Sequence, residues 1–249
     1  MSVRIWAHRG ASQLAAENTM AAFDLAVRLG ADGIELDVMR TADGVLVVTH
    51  DENCQRVTGQ SGDIRRMTFT ELRRLNFAAH RPEHEPQVIP TLDDVLDLLA
   101  PTGIELNIEL KNSLYFDPGL EDAVIQRVQQ KKMNDRVILS SFNHYSMQTA
   151  ARLDPEIRCA ILYSCELVDA AGYAGRLGAK AIHPMYAGLQ VPDLIRSCHE
   201  AGIAVNTWTV NIPDHIRMVL KSGADAIITD VPDLALSLRD QENPSVVEV

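Results

Sequence analysis

The chain of 249 residues is long for an ordinary domain but suits a single α/β barrel, and with 46% hydrophobic residues and few aromatics it can bury a substantial core. A formal charge of −11 and a pI near 5.1 argue against nucleic acid or an anionic membrane as a partner. No apolar run reaches the length needed to span a bilayer, so no stable membrane association is expected.

In chain order, β-branched runs predict strands near 3–8, 33–39, 104–110, 136–141, 157–162, 180–183, 203–208 and 226–229. Amphipathic patterns between them predict helices at about 19–29, 91–100, 119–131, 144–152, 166–177, 191–200, 213–221 and 232–238. Gly30, Gly178, Gly202 and Gly223 stand where helices should stop, and "RLGADGIEL", "RLGAKAIHP" and "KSGADAIIT" repeat one helix-to-strand joint. Eight strand–helix units joined this way predict a (β/α)8 TIM barrel in one domain. A doubly wound open sheet would want a Gly-rich phosphate loop after the first strand, and "HRGAS" is not one. The segment from about 52 to 90 breaks the beat and reads as a small insertion capping the site. After Arg239 the chain becomes a polar tail. Arg4 and Arg9 stand where a signal peptide would need an apolar stretch, and the four cysteines (Cys54, Cys159, Cys165, Cys198) show neither CxxC pairs nor a disulfide spacing. Reduced thiols in a cytoplasmic protein are therefore expected.

The stretch "GIELDVMRTADGVLVVTHD", residues 33–51, sets acids inside a strand. Alternation turns Ile34, Leu36 and Val38 toward the helices and leaves Glu35 and Asp37 in the barrel lumen. "GIELNIELK" repeats the arrangement, with Glu105, Asn107, Glu109 and Lys111 on the polar face. A hairpin at Asp43-Gly44, or over Thr41–Gly44, brings His50 back opposite a point between Glu35 and Asp37. Three acids at strand ends repel one another unless compensated, and the all-oxygen set Glu35, Asp37 and Glu109 favours Mg2+ or Ca2+ over zinc. Three carboxylates and one such cation leave a net −1; Arg9 and Lys111 bring the site to +1, enough to hold one phosphodiester. His8, ending the first strand on the same face, supplies a second histidine, and phosphodiester cleavage needs one base and one acid near neutral pH.

The motifs "AHRG" (7–10), "ENT" (17–19), "ELDV" (35–38), "TADGVLVVTHD" (41–51), "IPTLDDVL" (89–96), "IELK" (108–111), "SF" (141–142) and "WTVN" (208–211) occur in the order of one family. Over nearly its whole length the chain resembles the glycerophosphodiester phosphodiesterases. The resemblance implies a (β/α)8 barrel with an insertion after the second strand, which hydrolyses glycerophosphodiesters to an alcohol and sn-glycerol 3-phosphate. It implies Glu35, Asp37 and Glu109 as metal ligands, His8 and His50 as the acid–base pair, with His8 the base and His50 the acid, and Arg9 and Lys111 as phosphate contacts. Glu17 and Asn18 would brace the first loop, and Trp208 would wall the glycerol pocket. Hydrolysis of longer lysolipids, of the lysophospholipase D type, is the competing activity. A metal-dependent barrel lyase or isomerase could use the same acids and histidines, and a silent binding barrel would be expected to lack one of them.

Overall fold

The computed structural model describes residues 2–242; the polar tail read after Arg239 lies, from residue 243 on, outside the described residues. Eight parallel strands close on themselves: β1 (Arg4–His8), β2 (Gly33–Arg40), β4 (Glu105–Leu110), β5 (Val137–Ser141), β6 (Arg158–Tyr163), β7 (Ala181–Pro184), β8 (Ala204–Thr207) and β9 (Ala226–Thr229). Helices α1 (Met20–Leu29), α4 (Leu92–Leu99), α5 (Leu120–Gln130), α6 (His144–Leu153), α7 (Ala170–Leu177), α8 (Leu194–Glu200), α9 (Pro213–Ser222) and α10 (Pro232–Glu242) follow them around the outside. β1 pairs with both β2 and β9, so the first and last barrel strands are neighbours. The expected (β/α)8 barrel is the fold. No described helix is long and apolar enough to cross a membrane.

The strand alternation acts as read. Ile34, Leu36, Val38, Leu106, Ile108 and Leu110 pack under the helices in the main core, where burying apolar surface supplies most of the driving force for folding. The opposite faces point inward. There Trp6 crosses the lumen, and this is possible because its neighbour is Gly33: a Cβ at that position would lie 2.3 Å from the indole. The ring meets His183 on β7 edge-on at 6.1 Å. Toward the other end of the barrel, Arg4 and Arg158 both pair with Glu105. Indole and ion pairs together fill the middle and lower lumen.

Two boundaries differ from the sequence reading for identifiable reasons. The helix expected at 166–177 starts at Ala170, because Asp169 takes a left-handed conformation (φ 53°) and caps the helix by accepting the Gly172 N–H. The hairpin is not a two-residue turn. Thr41 and Val45 close it around Ala42, Asp43 and Gly44, with the Thr41 carbonyl accepting the Gly44 N–H and Gly44 at φ 85°. The return strand, β3 (Leu46–Val48), pairs antiparallel with the outer end of β2. β1 stops at His8, opposite Glu35, and β3 covers the edge of β2 beyond that point.

Between β3 and α4 runs the insertion, with two short helices, α2 (Gln55–Thr58) and α3 (Phe69–Leu72), and a 3-10 turn at Ile64–Arg66. It has its own small core around Cys54, Val57, Ile64, Leu72, Phe77 and Ile89. It returns at Pro90, whose carbonyl accepts the Val48 N–H, and Thr91 then opens α4 by a reciprocal capping box with Asp94.

Candidate active site

The site sits where β1, β2, β4 and the hairpin end. Glu35, Asp37 and Glu109 are buried, and a carboxylate oxygen from each lies within 4.8 Å of the other two. The parallel register sets this up, because Asp37 stands directly beside Glu109 on the neighbouring strand. Asp37 Oδ2 accepts a 2.8 Å hydrogen bond from the Asn18 amide, while its Oδ1 is buried and accepts none. Burial, then Asp37 and Glu109, push the Glu35 carboxyl well above the usual range. Burial, then Asp37, push Glu109 up to about 7. Burial opposes ionisation of Asp37 too, but Arg9, Lys111 and His50 outweigh it and hold that carboxyl far below its ordinary value. Three buried oxygen donors, one with an unused oxygen, form a set that fits a hard divalent cation.

Two cations share this cluster. Lys111 Nζ lies 2.7 Å from Glu109 and 3.6 Å from Asp37. Arg9 Nε lies 3.4 Å from Asp37, its Nη1 donates to Glu17 at 2.8 Å, and its backbone N–H donates to Glu35 at 2.9 Å. That last bond depends on a sharp turn after His8. Arg9 is left-handed at φ 55°, and Gly10 follows at φ 80° against α1, where a Cβ would come within 2.7 Å of the Ala22 backbone. Strain of this kind at a non-glycine residue is characteristic of functional sites.

The histidines stand on either side. His8 Nδ1 is 2.6 Å from Asp230, and His8 Nε2 is 3.9 Å from Glu35. His50 Nδ1 is 2.6 Å from Asp51. An ionised carboxylate can only accept, so Nδ1 carries the hydrogen in each ring and Nε2 is left to exchange a proton. Burial lowers the His50 pKa; Asp37 pulls it back up, while Arg9 and Lys111 push it further down. Continuing the β3 register sets Thr49 beside Asp37, its N–H bonded to the Asp37 carbonyl, so His50 arrives between Asp37 and Glu35 as expected.

His8, Arg9, Glu35, His50 and Glu109 line one cavity of about 90 Å3 with Asn107, Phe142, Leu162, Trp208, Thr209 and Ile228. Trp208 donates its indole N–H to the His183 carbonyl at 2.7 Å and meets Phe142 edge-on at 5.5 Å. It forms a wall with one face fixed. Lys111 and Asp37 reach the site through Glu109 and Arg9. None of these lining residues belongs to the insertion, which was expected to cap the site.

Sequence reasoning missed several supporting residues. Asp230 holds His8 and is itself held by Ser12 at 3.0 Å and by Asn211, the last residue of "WTVN", at 2.5 Å. Asn18 touches a candidate metal ligand directly, beyond bracing a loop. Asp51 was visible beside His50 but was given no role.

Buried acids that fit a cation, cations that can face an anion, and two carboxylate-held histidines are the requirements for acid–base cleavage of a phosphodiester. The fold and site thus define a barrel enzyme of that class. The chain belongs to the glycerophosphoryl diester phosphodiesterase family, whose model matches residues 8–234. It is 38% identical over 239 residues to a glycerophosphodiester phosphodiesterase of Caldanaerobacter subterraneus, spanning 96% of this chain and 98% of that one. Identity to a glycerophosphodiester phosphodiesterase of Bacillus altitudinis is also 38%, with 96% and 98% covered. Among solved structures, an Oleispira antarctica phosphodiesterase in complex with the product sn-glycerol-3-phosphate superimposes with a TM-score of 0.87 at 29% identity, over 96% of this chain and 97% of that one.

Proposed function

We propose that this chain hydrolyses glycerophosphodiesters to an alcohol and sn-glycerol 3-phosphate, and that His8 and His50 are its base and acid. The observation that carries the reading is the shared cavity, in which both histidines flank the buried acid cluster with Arg9 at its wall. Glu35, Asp37 and Glu109 are the residues we assign to a Mg2+ or Ca2+ ion. When bound there, such an ion would supply Lewis-acid charge to a non-bridging phosphate oxygen.

The chain's own groups carry the remaining chemistry. Arg9 and Lys111 face the phosphate and stabilise charge as it develops on the oxygens. His8, with its Nδ1 hydrogen taken by Asp230, accepts the nucleophile's proton at Nε2. His50, with its Nδ1 hydrogen taken by Asp51, delivers a proton from Nε2 to the departing alkoxide. The nucleophile is water, or the glycerol 2-hydroxyl through a cyclic phosphate. Trp208 and Phe142 wall the glycerol side. We place the enzyme in the cytoplasm, where its free thiols, three of them buried, would stay reduced.

A second reading draws on the loop after β4, where Leu114, Tyr115 and Phe116 are exposed on the same face of the barrel as the site. Such side chains could carry the acyl chain of a lysolipid. The deciding experiment is a panel of glycerophosphocholine, glycerophosphoethanolamine, glycerophosphoglycerol and a lysolipid, each with Mg2+ and with Ca2+ after chelation. Release of glycerol 3-phosphate from the first three supports the main reading. Exclusive turnover of the lysolipid supports the second, and full activity of rigorously metal-free protein would falsify the metal assignment.

A further inference from the structure

The insertion contributes no side chain to the cavity, yet one of its residues reaches both sides of the site. Arg56, on α2, donates from Nε to Asp51 at 2.6 Å and from its two terminal nitrogens to the two oxygens of Glu17 at 2.8 and 2.7 Å. Asp51 in turn holds His50 Nδ1, and Glu17 holds Arg9 Nη1. A continuous chain of charge-assisted bonds therefore runs His50–Asp51–Arg56–Glu17–Arg9, from the acid we assign to the leaving group to the cation we assign to the phosphate.

We infer that Arg56 is a positioning residue that sets His50 and Arg9 at once, and that this is how the insertion takes part in the reaction. The inference rests on the proposed phosphodiester hydrolysis. Only a guanidinium suits the place: its planar fork grips both Glu17 oxygens while the third nitrogen reaches Asp51, and a lysine ammonium has no such geometry. Its side chain is 44% exposed, so its ion pairs add little to folding stability. Burial raises the Asp51 and Glu17 carboxyls, but their bonds to Arg56, with His50 and Arg9 adding to them, together hold both below their ordinary values. They therefore stay ionised and able to grip their partners. A second tie has the same sense: Arg81, also in the insertion, donates to the Ser12 and Gln13 carbonyls of the loop that follows Arg9.

The test compares Arg56→Ala and Arg56→Lys with wild type on glycerophosphocholine and on an aryl phosphodiester. Arg66→Ala, in the same insertion but solvent-exposed, is the control for charge loss. We expect both Arg56 variants to keep their thermal midpoint and to lose about 10–100-fold in kcat on the alkyl diester, the usual cost of removing an orienting partner. The loss should be smaller on the aryl diester, which departs without a proton. Free guanidinium ion should restore part of the Arg56→Ala activity, and an equal concentration of sodium should not. A wild-type kcat in Arg56→Lys would overturn the inference by showing that charge alone suffices, as would a loss equal to that of Arg66→Ala. Absence of activity in wild type would instead count against the phosphodiester reading. In that case crystal structures decide the inference alone: displaced His50 and Arg9 side chains in Arg56→Ala support it, and unchanged rotamers overturn it.

Discussion

His8 and Asp230 stand 222 residues apart in the chain and 2.6 Å apart in the fold. β1 and β9 are neighbours only because the barrel closes, and the contact forms just past their paired ends. Asp230 is further pinned by Ser12 and Asn211, so the imidazole is held in one tautomer by a carboxylate that cannot swing away. Asp230→Asn should be worse than a mere loss of charge. An amide can donate to Nδ1 and hold the ring in the tautomer that has no free acceptor at Nε2. kcat should fall by at least about 10–100-fold, to a similar extent on alkyl and aryl diesters, since both need the base. Steady-state kinetics on the two substrates check this, and a loss confined to the alkyl diester would move the base role away from His8.

His50→Ala should discriminate between leaving groups. A positioned general acid contributes about 10^2–10^4-fold, and chiefly where the leaving alkoxide is strongly basic. Glycerophosphocholine hydrolysis should collapse while an aryl diester is spared much of the loss. The opposite pattern, with His8→Ala selective and His50→Ala damaging both substrates alike, reverses the two roles.

Lys111→Ala should raise KM and lower kcat together, because a contact to phosphate tightens as charge develops on the oxygens. A change in KM alone would assign Lys111 to substrate binding without a share in the transition state. The lysine also neutralises Glu109 and Asp37, at 2.7 and 3.6 Å, so metal affinity should rise in the variant as those acids lose a competitor. Isothermal titration with Mg2+ measures this arm.

The acid cluster predicts how stability depends on pH in metal-free protein. Glu109 is raised from 4.5 to about 7, so its contribution is fully present below about pH 4.5 and is lost as the pH rises through 7. Metal-free wild type should therefore lose thermal stability between pH 5 and 8. Glu109→Gln, which carries no charge to repel Asp37, should show a flatter profile. A loss of ~2 kcal/mol corresponds to a midpoint lower by roughly 4–8 °C for a chain of this size. Saturating Mg2+ should remove most of the difference in wild type. Parallel melting profiles for the two proteins across that range would contradict it.

Much of the site is legible in sequence because it obeys local periodicity. Glu35, Asp37 and Glu109 follow from alternation in two strands, and His50 follows from a hairpin whose register hardly depends on its turn type. Asp230 and Asn211 are a different matter. They matter only through a closure that brings the first strand to the last, and no local pattern encodes that proximity. Asp51 is hidden for another reason. In a regular strand it would point away from its neighbour His50, but β3 ends at Val48, and beyond that the backbone is free to turn both side chains together. The insertion carried a visible length and composition, whereas the purpose of Arg56 is visible only in three dimensions.

The indole lying against Gly33 gives the barrel a floor and makes it a well. With Trp6 across the middle and Arg4, Glu105 and Arg158 joined beyond it, nothing passes through the barrel, and substrate and both products come and go on the strand-end face. Departure should then be ordered, the fragment seated nearer the mouth leaving before the deeper one. The deeper product, left alone in the well, blocks the next arrival and competes directly with substrate, whereas the outer product should inhibit only by returning to an occupied site. Product-inhibition patterns can therefore report which half of the diester faces the floor.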